Sequence, residues 1–254
     1  MSLFTMRFSG RLLAVAATGL LAVACQRGPL QATAHLPAAT SQPVGATIVP
    51  DAGAAAYIKP YHEQVEREMN QVLGTAPVAI SKGPGENPLI DFVSELQRPA
   101  AAKALARPAI DLGVMTNGGL RTALPAGNIT LGNIFELMPF ENELVVLDAP
   151  GPVVQQLFAF AARISMPIAG AVYTVGPDKA PQAISIGGRP FDPARTYSIA
   201  ISDYLAGGGD NLTFLKEARL SHTGLLLRSV IVNHVKALTA AGQPVTAQVE
   251  GRVK

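Results

Sequence analysis

A strand that runs into three consecutive glycines constrains this chain more than any other stretch. Tyr197, Ile199 and Ile201 alternate with smaller or polar residues, the period-two pattern of a half-buried strand whose side chains point to opposite faces in turn. The run passes into Asp203-Tyr204-Leu205-Ala206 and then Gly207-Gly208-Gly209-Asp210. Glycine accepts positive φ and lets other groups approach the backbone, so a tight bend here brings the Tyr204 ring and the Asp210 carboxylate toward one space. A ring that stacks beside an acceptor for two hydroxyls suits a nucleoside. An ordinary glycine-rich turn with an exposed tyrosine fits the same residues, and a second motif is needed to decide.

Residues 110–115 are short, apolar and flanked by turn formers, which predicts a buried strand. It ends in Thr116-Asn117-Gly118-Gly119-Leu120-Arg121. The two glycines let the backbone approach a ligand, Asn117 offers donor and acceptor, and Arg121 a planar fork of donors. A tight turn with a solvated arginine is the competing reading. Further on, Thr130 is placed to cap a short helix over Leu131–Leu137. Met138-Pro139-Phe140-Glu141-Asn142 then leads into a strand over 143–147. Phe140 follows a proline in a loop, so its ring is either a core anchor or a face offered to a ligand.

Around these motifs the chain predicts separated helices and hairpins. Tyr57, Ile58, Tyr61, Val65, Met69 and Val72 follow helical spacing over 57–73, with Gly74 as a stop. Residues 78–81 read as a short strand. A second helix over 86–97 follows Gly83-Pro84-Gly85, turns Leu89, Ile90, Val93 and Leu96 inward, and is bounded by Pro99. Gly151–Ile164 carries the apolar stripe Val153, Val154, Leu157, Phe158 and Ala161. Strands follow at Ala171–Val175, 183–186 and 197–201, with Gly187-Gly188 as a hairpin turn, and a last helix spans 225–238. Such a mixture argues an α+β fold of mixed sheets with flanking helices in one domain.

The first residues read as a targeting segment. Arg7 and Arg11 precede an apolar run, 12–24, too short to cross a bilayer comfortably, so 1–24 is a signal peptide. Ala22-Val23-Ala24-Cys25 resembles a bacterial lipobox, although Ala22 replaces the usual leucine. Cys25 is the sole cysteine, which excludes internal disulfides and marks it as the lipidation site of an exported protein held to a bacterial membrane, on the periplasmic or cell-surface side. Gln26 at the next position favours the outer membrane. Residues 25–54, rich in Ala, Pro, Thr, Ser and Gly, form a flexible tether, and 55–254 the folded domain. A net charge of +2 without a Lys/Arg run gives no case for nucleic acid.

Taken in order, Asn-Gly-Gly-Leu-Arg after a strand, Met-Pro-Phe-x-Asn, and Asp-Tyr-Leu-Ala-Gly-Gly-Gly-Asp resemble the C-terminal, substrate-recognising domain of the 5′-nucleotidase/UDP-sugar hydrolase family. The opening Tyr57-Ile58-Lys59-Pro60-Tyr61 and the Gly188-Arg189-Pro190-Phe191-Asp192-Pro193 hairpin fit as well, so the resemblance covers residues 55–238. It implies that Phe140 and Tyr204 sandwich a base and that Asp210 binds the ribose. It makes Asn117 and Arg121 further contacts, with Gly118, Gly119, Gly208 and Gly209 forming backbone of the same substrate site. Departures are the Gly118-Gly119 pair followed directly by Leu120-Arg121 where the family commonly has a third glycine, Tyr204 where phenylalanine is common, and Lys82 near the place of an upstream arginine.

Catalysis in that family lies in a metallophosphatase domain, where two metals clamp the phosphate and activate water. Here His35, His62, His222 and His234 lack an Asp-x-His or Gly-Asn-His setting, so no catalytic residue and no metal or other cofactor is assigned to this chain. The resemblance therefore implies a recognition domain in nucleotide catabolism, inactive alone, whose divalent metals sit in a separate metallophosphatase chain. A non-catalytic nucleoside-binding lipoprotein and a degenerate structural module stay open.

Overall fold

The computed structural model describes residues 41, 45 and 48–254, so the signal segment and Cys25 lie outside the described residues. Ala52–Lys254 form one folded unit, and the α+β expectation holds. Its opening helix, α1 (Ala52–Met69), buries none of its residues, and Tyr57, Ile58, Tyr61 and Val65 stand exposed. The apolar stripe read over 57–73 thus lies on no core. Spacing selects a helical face, but burial depends on what packs against it.

The helix also ends earlier than its stripe suggested. Val72 belongs to strand β1 (Val72–Ala76), which pairs antiparallel with β3 (Gly127–Thr130). Leu73 and Ala76 anchor β1 in the core, whereas Val72 is exposed. Residues 78–81 contribute a single bridge, Ile80 to Leu124, rather than a strand.

Helix α2 (Pro88–Ala104) starts at Asn87, whose side chain accepts from the Ile90 N–H at 3.1 Å, and it continues through Pro99 instead of stopping there. Proline removes one helix hydrogen bond and crowds the preceding turn, which in an interior costs about 3 kcal/mol. The apolar face extends past it from Leu89, Val93 and Leu96 to Ala101, all buried, and that packing offsets the loss.

The central sheet has the order β2-β8-β4-β9, with β2 (Leu112–Gly113), β4 (Glu143–Pro150), β8 (Thr196–Ser202) and β9 (Arg219–Leu226). β8 runs parallel to β2 and antiparallel to β4, and β9 pairs antiparallel with β4. Ile199, Ala200 and Ile201 are all fully buried, so both faces of β8 are covered rather than one. Helices α2 and α4 (Gly151–Ile164) both pack on it. Of the predicted strand over 110–115 only Leu112 and Gly113 pair in the sheet.

Helix α3 (Leu131–Leu137) carries the Thr130 cap, with Asn133 completing a reciprocal capping box. A second sheet joins β5 (Ala171–Val175), β6 (Pro181–Ile186) and β7 (Arg189–Pro190), with Gly187 at φ 56° and Gly188 at φ 77° making the hairpin turn. Residues 252–254 add a parallel partner to β5, through Tyr173 N–H to the Arg252 carbonyl at 2.9 Å and Lys254 N–H to the Tyr173 carbonyl at 3.0 Å. The short helix α5 (Asp203–Ala206) follows β8, and α6 (Leu227–Ala240) follows β9.

Candidate functional site

Strand direction brings the three sequence motifs to one end of the central sheet. β2 and β8 are parallel, so the segments that leave them, toward Thr116 and toward Asp203, emerge at the same edge. β4 is antiparallel, with Leu144 opposite Ser202, so the loop that enters it, carrying Phe140, lies at that edge as well. β9 ends there too, with Leu226 opposite Glu143, and delivers Arg228 in the first turn of α6.

Asp210 is the most constrained residue of this edge. The Ser202 hydroxyl caps α5 by accepting from the Leu205 N–H at 3.3 Å, and the Gly207 N–H closes the turn on the Asp203 carbonyl at 2.8 Å. Gly208 then takes φ 90°, and Asp210 itself sits at φ 51°, ψ 30°, a left-handed backbone that costs a non-glycine residue roughly 1 kcal/mol or more. The Thr116 hydroxyl donates to Asp210 Oδ2 at 2.7 Å, and the Tyr204 hydroxyl donates to Oδ1 at 3.1 Å.

The three glycines act differently from one another. Gly207, with φ −74°, is ordinary backbone, Gly208 makes the left-handed turn, and Gly209 makes room for the ring of Tyr204. A Cβ on Gly209 would lie 2.4 Å from Tyr204 Cε1 and 2.5 Å from Cζ. Tyr204 is 54 % exposed and Phe140 40 %, so neither ring is spent on the core.

The Asn117–Gly119 turn packs on the other side of the carboxylate, where a Cβ on Gly118 would come within 3.3 Å of Asp210 Oδ2. Gly119 leaves space for Met115, whose Cε would be 2.1 Å from a Cβ there. Asn117 turns its amide toward the preceding loop: its oxygen accepts from Asn87 at 3.2 Å and its nitrogen lies 3.4 Å from the Gly85 carbonyl. It braces two loops against each other. Arg121 is exposed and makes one long side-chain bond, 3.4 Å, to the Gly118 carbonyl, while Lys82 donates to the Leu120 carbonyl at 2.6 Å. Both cations thus border the turn.

Two residues of this edge were not singled out by sequence. Thr116 was read only as a strand end, although its hydroxyl holds the aspartate. Arg228 is 7 % exposed; it donates to the carbonyls of Met138 at 3.2 Å and Phe140 at 3.3 Å, pairs with Glu141, and lies 4.1 Å from the centre of the Phe135 ring. It fixes the backbone that carries Phe140. The available signal was a lone arginine inside the apolar run Leu225-Leu226-Leu227-Arg228-Ser229-Val230-Ile231.

The histidines are dispersed. His62 is exposed on α1 beside Glu66, and His234 on α6 meets Phe92 edge-on, its pKa lowered by burial. His222 lies in β9 with Nδ1 2.8 Å from Glu143 Oε2. That contact, followed by the Gly224 N–H, holds the Glu143 carboxyl below its usual range. His35 lies outside the described residues. Among the described residues no group of three or more His, Cys, Asp or Glu is placed to hold a metal ion. A groove of about 550 Å³ between α2 and α6, lined by Leu96, Pro99, Lys103 and His234 among others, shares no residue with this edge.

The fold places the chain in a class. It superposes on a 5′-nucleotidase precursor from Thermus thermophilus with a TM-score of 0.67 at 24 % identity, covering 80 % of this chain and 43 % of that one. The NAD nucleotidase of Haemophilus influenzae gives 0.58 at 18 % identity, over 80 % and 41 % of the two chains. At these identities the likeness is one of α+β fold.

Sequence takes the assignment further. Residues 72–217, more than half of the chain, match the family model described as 5′-nucleotidase, C-terminal domain, and the chain belongs to that family. Among relatives, protein UshA of Yersinia enterocolitica is 29 % identical over 160 residues, 60 % of this chain and 28 % of that protein. Protein UshA of Escherichia coli is 32 % identical over 133 residues, 50 % and 24 % of the two. Endonuclease YhcR of Bacillus subtilis is 27 % identical over 225 residues, 82 % and 17 %. The chain therefore spans under a third of the length of these relatives.

Proposed function

We propose that this chain is the nucleotide-recognition domain of a 5′-nucleotidase-type hydrolase system. A flat base stacks between Phe140 and Tyr204, the sugar hydroxyls donate to Asp210, and Arg121, with Lys82 behind it, faces the anionic end. Hydrolysis takes place on a metallophosphatase unit carried by a separate chain, which supplies the divalent metals. Lipidated Cys25 and the segment between it and α1 hold the domain to a bacterial membrane. The observation that carries this reading is the Asp210 carboxylate, kept on a strained backbone by two hydroxyls beside an exposed ring. Strain of this kind persists where surrounding contacts over-determine it, and it concentrates at ligand sites.

Stacking on an aromatic side chain is worth about 1–3 kcal/mol per base, so each ring should matter measurably. Calorimetry with adenosine, AMP and UDP-glucose should give binding that Phe140→Ala and Tyr204→Ala each weaken by roughly 5- to 150-fold. No heat from any of the three ligands, or affinities indifferent to both substitutions, would refute it. Metal-dependent phosphate release is expected when a metallophosphatase chain is added; robust release by the pure chain would overturn the two-chain arrangement.

A further inference from the structure

We propose that Tyr204 and Thr116 are positioning residues that aim the Asp210 carboxylate at a vicinal diol, so that the site selects ribose over 2′-deoxyribose. The inference rests on the nucleotide-recognition reading and assigns a second role to the tyrosine: beyond stacking, its hydroxyl sets the sugar specificity.

A free carboxylate turns about its Cβ–Cγ bond and offers about four lone-pair sites in no fixed direction. At Asp210 each oxygen is held by a different donor, Thr116 on Oδ2 at 2.7 Å and Tyr204 on Oδ1 at 3.1 Å. The two donors come from different elements, one from the segment that leaves β2 and one from α5, and a bond on each oxygen opposes rotation of the carboxylate. Each oxygen keeps further acceptor capacity, and the Gly118 turn closes on the Oδ2 side. By lone-pair count, one donor on each oxygen leaves one acceptor position on each of the two neighbouring oxygens. Two adjacent sugar hydroxyls match that arrangement. A 2′-deoxy sugar brings one donor and leaves one oxygen without a ligand bond, and a hydrogen bond to a charged group is worth enough to make that tenfold or more in affinity.

Tyr204 can hold Oδ1 because its ring has a fixed seat. The ring lies against the bare Cα of Gly209, where a Cβ would come within 2.4 Å of it. The same seat serves a phenylalanine, which would stack equally and leave Oδ1 undirected. Stacking and aiming are therefore separable by removing one oxygen atom from an exposed side chain, a change that disturbs no core packing.

The test is calorimetry on the full chain with adenine, adenosine and 2′-deoxyadenosine as probes. The unmodified chain should bind adenosine at least ~10-fold tighter than 2′-deoxyadenosine. Tyr204→Phe should lose roughly 5- to 10-fold for adenosine, more than it loses for adenine, and shrink the ribose preference to about two- or threefold. Thr116→Val should shrink that preference in the same direction. A Tyr204→Phe chain that binds adenine and adenosine with its ribose preference intact overturns the inference and leaves the nucleotide reading standing. An unmodified chain that binds none of the three overturns both.

Discussion

The surroundings of Asp91 predict that its contribution to stability falls as pH rises, against the usual behaviour of carboxylates. It lies on α2 at 2 % exposure, facing residues 250–252. Its Oδ2 accepts from the Glu250 N–H at 3.1 Å, and Arg252 Nε stands 3.4 Å from Oδ1. Glu86 accepts from the N–H groups of Arg252 at 2.7 Å and Val253 at 3.0 Å, and Glu95 pairs with Arg252 at 2.8 Å. Burial is the largest influence and, with the Glu86 carboxylate nearby, pushes the Asp91 pKa from 3.8 up to about 7, against the pull of the Glu250 N–H and Arg252. Between those two values the folded chain binds a proton that the unfolded chain has released, so raising the pH favours unfolding. The full effect is on the order of 4 kcal/mol, of which about 2–3 kcal/mol falls between pH 5 and 8.

Glu143 and Asp148 have lowered pKa values, so their stabilisation is complete above the ordinary carboxylate range and contributes no slope in that window. His234, lowered by burial, works the other way and gains stability as pH rises through its unfolded value. Comparison with Asp91→Asn cancels these groups, because the amide mimics the protonated acid and still accepts from Glu250. The melting temperature of the unmodified chain should drop between pH 5 and 8 by about 5–10 °C relative to the variant, at roughly 2–4 °C per kcal/mol for a domain of this size. Equal slopes in the two chains, or a variant that loses more stability at pH 8 than at pH 5, would refute the reasoning.

Arg228→Met removes the guanidinium from the Met138 and Phe140 carbonyls and leaves them short of donors; denaturant unfolding should show a loss of roughly 2–4 kcal/mol, with weaker nucleoside binding besides. A loss below about 1 kcal/mol would mean the arginine is spectator to the fold. Gly209→Ala drives the Tyr204 ring from its seat and should lower adenosine affinity by tenfold or more by calorimetry, with little change in melting temperature because the ring is exposed.

What the sequence disclosed followed the range over which its signals act. Helix Gly151–Ile164 and the Gly187-Gly188 hairpin are set by spacing and local turn chemistry, and the structure has both at the expected residues. β9 escaped because Arg219-Leu220-Ser221-His222 lacks strict apolar alternation, and β4 alongside recruits it. The α1 stripe misled for the converse reason, since the period was right but the helix buries none of its residues. At the candidate site Tyr204 and Asp210 were readable from a short motif. Thr116 and Arg228 were not, because their partners lie 94 and 88–90 positions away in the chain. Such pairings depend on sheet order, which no local pattern specifies.

The order β2-β8-β4-β9 puts both strands that feed the candidate site in the interior of the sheet. Tyr204 and Asp210 follow the end of β8, and Phe140 precedes the start of β4, where Leu144 lies opposite Ser202. Each of those strands has a hydrogen-bonded neighbour on either side. Both flanks of the edge therefore rest on a footing that neither loop can shift alone.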